Sequence, residues 1–165
     1  MWTKAWPSLG IVNSKRSIDE ARKLVREPQS GQADEVTRAL ARFLVVRSTG
    51  YLEQVVIESC TAYISSKSEP RVGAFAAGFF DRYLNPKPAR LLEIVRSFDP
   101  EWEDQLTELF DDGDELLRRE VALLVDRRNK IAHGLGEGIT SLKALGLLDA
   151  AEKVADWFVE RFDPR

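Results

Sequence analysis

At 165 residues, 44% hydrophobic and 31% charged, the chain has the size and balance of one folded globular domain and excludes a disordered segment. One cysteine and one histidine exclude an intramolecular disulfide or a Cys/His zinc set built from a single chain, and a net charge of −3 gives no global pull on a polyanion. The longest apolar run, Val72 to Phe80, is too short to cross a bilayer, and Met1 to Gly10 has no signal-peptide core, so the expected location is cytoplasmic with no membrane contact.

Ile18 to Arg26 predicts a short helix, followed by the linker Glu27-Pro28-Gln29-Ser30-Gly31-Gln32. Residues 1–33 are therefore read as an N-terminal arm and linker, and 34–165 as one helical domain. From Asp34, a candidate N-cap, to about Ser66, apolar residues recur at helical spacing (Val36, Leu40, Phe43, Leu44, Tyr51, Leu52, Val55, Val56, Tyr63). Such a helix is either the spine of the domain or bent near Ser48-Thr49-Gly50. Arg71 to Leu84 reads as helix, with strand as the alternative. Asn85-Pro86-Lys87-Pro88 turns into a helix ending near Arg96, and Asp99-Pro100 caps another ending near Phe110. Asp111-Asp112-Gly113-Asp114 restarts the chain into a long helix that runs to His133 and stops at Gly134. One or two further helices span Thr140 to Arg161 across a break at Gly146. No strand alternation appears, and the expected class is all-α.

In the helix before Gly134, Leu117, Val121, Leu124, Arg128 and Ile131 form one stripe at spacings of four and three. A guanidinium on that stripe needs an anion or a cleft, since an unpaired buried charge is costly. Asn129 and His133, four apart, share a face. Between 118 and 130, Arg118, Arg119, Arg127, Arg128 and Lys130 oppose only Glu120 and Asp126, which predicts local positive charge suited to a phosphate. The plainer readings are a helix end complementing its own dipole and capped by Gly134, and an Arg128 paired with Glu53 or Glu58 of the long helix. Gly134-Leu135-Gly136-Glu137-Gly138 follows a helix and lacks a phosphate-loop lysine, so it reads as a loop. Asp111-Asp112 and Glu101/Glu103-Asp104 read as helix-start and solvated charges.

The string Arg128-Asn129-Lys130-Ile131-Ala132-His133-Gly134 resembles the Arg-polar-x-x-x-His motif of the HEPN superfamily of helical ribonucleases. With Gly50-Tyr51-Leu52-Glu53, Asn85-Pro86 and Phe98-Asp99-Pro100-Glu101-Trp102, the region from about Asp34 to Phe162 is similar to the RiboL-PSP group of HEPN domains. The resemblance implies a single HEPN-like helical bundle and leaves the short N-terminal helical arm unexplained. It implies metal-independent RNA cleavage without a cofactor, by two chains whose motifs line one cleft, in a toxin or antiviral defence setting with an antitoxin or defence partner. It assigns catalysis to Arg128, Asn129 and His133. Arg127 and Lys130 are the candidate RNA-binding residues, and the stripe carrying Arg128 is expected to be partly an interface. HEPN toxins silenced by a nucleotidyltransferase partner resemble this pattern with tyrosine two residues after the histidine; Leu135 stands there instead, so control by modification at that position has no support. The alternatives are a HEPN domain that binds RNA or a partner protein without cutting, and a purely structural helical dimer.

Overall fold

The computed structural model describes residues 5–80, 84–135 and 138–165, and among them six helices and no strand occur. Helix α1 (Leu9–Arg26) begins nine residues before the expected Ile18, because Ser8 caps it: the Ser8 Oγ accepts a hydrogen bond from the Ile11 N–H at 3.1 Å. The linker turns at Gly31, whose φ of 76° lies in the left-handed region that suits glycine.

Helix α2 (Asp34–Lys67) is one 34-residue element, about 51 Å long at the usual rise. Its N-cap is Ala33, without a side-chain cap bond. Asp34 instead lies in the first turn with Glu35, where carboxylates complement the helix dipole. The chain does not break near Gly50: the inner face stays packed through it, and Ser48 and Thr49, both fully buried, satisfy their hydroxyls on the Leu44 and Val45 carbonyls at 2.7 and 3.2 Å.

Helix α3 (Pro70–Phe80) resolves the helix-or-strand alternative as helix; residues 81–83 lie outside the described set. Helix α4 (Pro88–Phe98) starts on Pro88, which needs no N–H partner in a first turn. Helix α5 (Pro100–Ala132) starts as expected, with Asp99 Oδ1 accepting from the Glu101 N–H at 2.8 Å. It is interrupted where Asp111-Asp112-Gly113-Asp114 predicts a restart: Asp112 is extended (ψ 142°), and Gly113, Asp114 and Glu115 all take φ near +60°. Helix α6 (Ser141–Arg161), capped by the Thr140 hydroxyl, runs through Gly146 without the expected break. Leu147, Leu148, Ala151, Val154, Ala155 and Phe158 bury on one face of it, and their packing outweighs the roughly 1 kcal/mol that glycine costs a helix interior.

α2 is the spine. α6 lies along it in the same direction, since Asp34, Thr37 and Arg38 meet Gly138–Ser141 at one end and Tyr63 packs on Phe162 at the other. α1 runs the opposite way: Arg47 Nη2 donates to Ser17 Oγ at 2.5 Å, and Ser8 bonds to the Glu58 carboxylate. Ile11, Ile18, Ala21 and Val25 of α1 are buried in the same core as α2 and α6, and Lys15 and Arg22 reach Glu152 on α6. α5 antiparallels α6, with Trp102 on Phe162 and Glu120 on Lys143 at 2.7 Å. Tyr63, Phe98, Trp102, Trp157, Phe158 and Phe162 close one end in edge-to-face and stacked pairs. Among the described residues no helix is long and apolar enough to cross a membrane.

Candidate functional site

The last turns of α5 carry the motif, and the way that helix ends fixes where His133 stands. The Gly134 N–H bonds to the Ile131 carbonyl at 3.0 Å and the Leu135 N–H reaches back to the Lys130 carbonyl at 3.0 Å, the paired closure of a Schellman cap. Gly134 takes φ 71°, as the motif needs. His133 is the C-cap residue, its N–H bonded to the Asn129 carbonyl at 3.1 Å, and its side chain is exposed.

One turn earlier the structure joins two of the three candidate catalytic residues directly. Arg128 Nη1 donates to Asn129 Oδ1 at 3.0 Å, and Arg128 Nη2 reaches Glu53 Oε1 on α2 at 3.4 Å. The Asn129 amide oxygen, on the helical face shared with His133, is thus turned onto the guanidinium. The Arg128 and Glu53 side chains keep 21% and 18% of their surface exposed, so the pair sits at the rim of the core and is not sealed within it. Burial raises the Glu53 carboxyl above its ordinary value, and the Arg128 charge offsets part of that rise.

The remaining stripe is internal. Leu117, Val121 and Leu124 are buried in the chain's own core, with Ile131 packed partly against it, so the apolar part of the stripe is consumed by folding and does not face outward as an interface. The predicted positive cluster is also weaker than its local sequence suggests. Lys130 pairs with Asp126 at 3.3 Å, Arg118 with Asp111 at 2.6 Å and Arg128 with Glu53; two of those acids lie outside the stretch from 118 to 130. Arg127 is half-buried on the same helix. Gly136 and Glu137 of the glycine-rich loop lie outside the described residues. No group of histidine, cysteine or acidic side chains among the described residues has the makings of a metal site.

Sequence reasoning named Glu53 as a structural counter-ion and as part of the family pattern, and gave it no role in the site. The structure makes it part of the site, and its signal is positional: it is a carboxylate on the half-buried flank of an otherwise apolar helix.

The chain matches the RiboL-PSP-HEPN family over residues 12–163. It belongs to that family. The match takes in most of α1 together with the rest of the bundle, and this HEPN domain falls in a class that generally cleaves or binds RNA. No curated protein and no solved structure gives a match. An exposed imidazole at a pinned helix end, one turn beyond a guanidinium braced by an amide and a carboxylate, can move a proton beside a bound phosphate.

Proposed function

We propose that this HEPN domain is a metal-independent endoribonuclease working as a homodimer in a toxin or antiviral defence role. The Arg128–Asn129 contact at 3.0 Å carries the reading, because it braces a phosphate-binding guanidinium next to an exposed histidine. The ribose 2′-oxygen attacks the adjacent phosphorus as His133, or its counterpart in the second chain, takes the 2′-hydroxyl proton. The bond to the 5′-oxygen then breaks and that oxygen receives a proton, leaving a 2′,3′-cyclic phosphate and a 5′-hydroxyl. Arg128 neutralises the charge that builds on the phosphate oxygens, Asn129 holds the guanidinium, and Arg127 and Lys130 bind neighbouring phosphates. The nucleophile belongs to the substrate, so the scheme calls on no metal or cofactor, and DNA, lacking the hydroxyl, is spared.

The test incubates the purified chain with RNA in EDTA and analyses the ends. Cyclic phosphate products, lost by at least about 100-fold in His133→Ala and Arg128→Ala with circular dichroism unchanged, are expected; cleavage that requires magnesium defeats the scheme. A second reading, a HEPN domain that holds RNA or a protein without cutting it, is favoured by the Glu53 carboxylate lying against Arg128 where a phosphate would bind. It predicts RNA retention with no cleavage by wild type and none lost in His133→Ala.

A further inference from the structure

Helix α2 has two apolar faces, and the described residues cover one. Ala41, Leu44, Val45, Leu52, Val55 and Val56 point inward and are buried. On the opposite side Val36, Ala39, Phe43, Val46 and Gly50 follow at spacings of three, four, three and four, and all five are exposed, Phe43 to 47% and Val46 to 39%. The outer face of a helix is ordinarily polar, yet this stripe is apolar for about 21 Å. Three residues beyond Gly50 it reaches Glu53, the partner of Arg128.

We propose that this face receives a second copy of the chain, the two α2 helices crossing antiparallel about a two-fold axis that passes between Val46 and Arg47. The role this gives the site rests on the ribonuclease reading; the pairing does not. The stripe is complementary to itself in that register. Phe43 of one copy falls opposite Gly50 of the other, and a side chain at Gly50 would meet nothing within 4 Å, so the ring enters an open notch. A parallel pairing would set ring against ring and notch against notch, leaving a clash and a void.

Charge agrees with the same register. Arg42, with no ion pair to another described residue, arrives within about 3 Å, measured along the helix, of the level of the other copy's Glu53. Both lie on the α2 flank that faces α5. Arg47, the cation beside the axis, is drawn off onto Ser17 of α1. The stripe itself offers no cation to a phosphate backbone, which disfavours RNA as its occupant.

A two-fold axis lying in the interface reverses each helix end for end and leaves each flank on its own side. Both Glu53–Arg128 pairs therefore fall along one edge of the dimer, about 20 Å apart, and each gains an arginine from the opposite chain.

Sedimentation of the full chain tests this. Wild type should be dimeric. Phe43→Asp should weaken self-association by about thirtyfold or more with an unchanged helical spectrum, while Leu142→Asp, at a residue 82% exposed on α6, should remain dimeric. Under mild oxidation Val46→Cys chains should link covalently. Val36→Cys chains should not, because the two copies of residue 36 lie about 31 Å apart in this register; side by side in a parallel pair, they would link. A monomeric wild type, a dimer indifferent to Phe43→Asp, or a Val36→Cys link overturns the proposal. A dimer that behaves as described but leaves RNA intact would sustain the interface and remove the ribonuclease.

Discussion

Glu53 shows how one half-buried residue couples the site to the stability of the fold. Its carboxyl is raised by burial, and Arg128 reverses only part of the rise. The folded chain therefore holds this proton more tightly than the unfolded chain, and stability falls as the proton leaves. The contribution is complete below the ordinary value of 4.5 and is lost as pH climbs through the raised folded value. Glu53→Gln removes the titration, so the melting temperature of wild type, measured against that of the variant, should decline as pH rises above the ordinary value of 4.5. Parallel pH profiles for the two proteins would show that Glu53 ionises as freely folded as unfolded. The Glu53–Arg128 partnership was foreseeable only as one of two options, Glu53 or Glu58, because sequence spacing does not reveal which turn of a 34-residue helix lies against the end of another. Glu58 is instead taken up by Ser8 and Gln54.

Among the helices, the ends were easier to read than the interiors. Asp99-Pro100 and Thr140 cap as their chemistry dictates, and Gly134 stops α5, because a capping hydroxyl, carboxylate or left-handed glycine acts within three or four residues. Gly146, read as a break, misled for the complementary reason, and of the two readings left open at Ser48-Thr49-Gly50 the unbroken spine holds: in both places local weakness is overruled by side chains packed from distant parts of the chain. The interruption of α5 combines both cases. Gly113 announces it, whereas the left-handed backbone of Asp114 and Glu115 (φ 61° and 60°) has no sequence signature. Each of these residues bears a Cβ where only glycine is at ease, at a cost of about 1–2 kcal/mol. Asp114→Gly should therefore raise stability by about 0.5–1 kcal/mol after the greater freedom of the unfolded glycine is subtracted, readable as a shift of the urea midpoint at constant m. A lowered midpoint would mean that the Asp114 side chain contributes more than its backbone strain costs.

Across the molecule, the all-helical class and the HEPN resemblance were legible from the pattern of apolar residues and one short motif. The integration of α1 was not. Its buried positions, Ile11, Ile18, Ala21 and Val25, repeat at seven, three and four, but the first of them lies ahead of the start that the linker and the run from Ile18 suggest. Burying a large aliphatic side chain is worth about 1.5–3 kcal/mol, so Ile11, Ile18 and Val25 together supply an amount comparable with the whole stability of an average domain, about 5–15 kcal/mol. A chain beginning at residue 34 should consequently lose its cooperative thermal transition and bind hydrophobic dye, and a truncated protein that melts like the full chain would show that the bundle closes without α1. Finally, Trp6 donates its indole N–H to the Val159 carbonyl at 2.9 Å, which brings the start and the finish of the described chain to the same pole, about 28 Å along α6 from Thr140. A larger polypeptide could carry this domain as an insertion, entering beside Trp6 and leaving beyond Val159 by neighbouring doors.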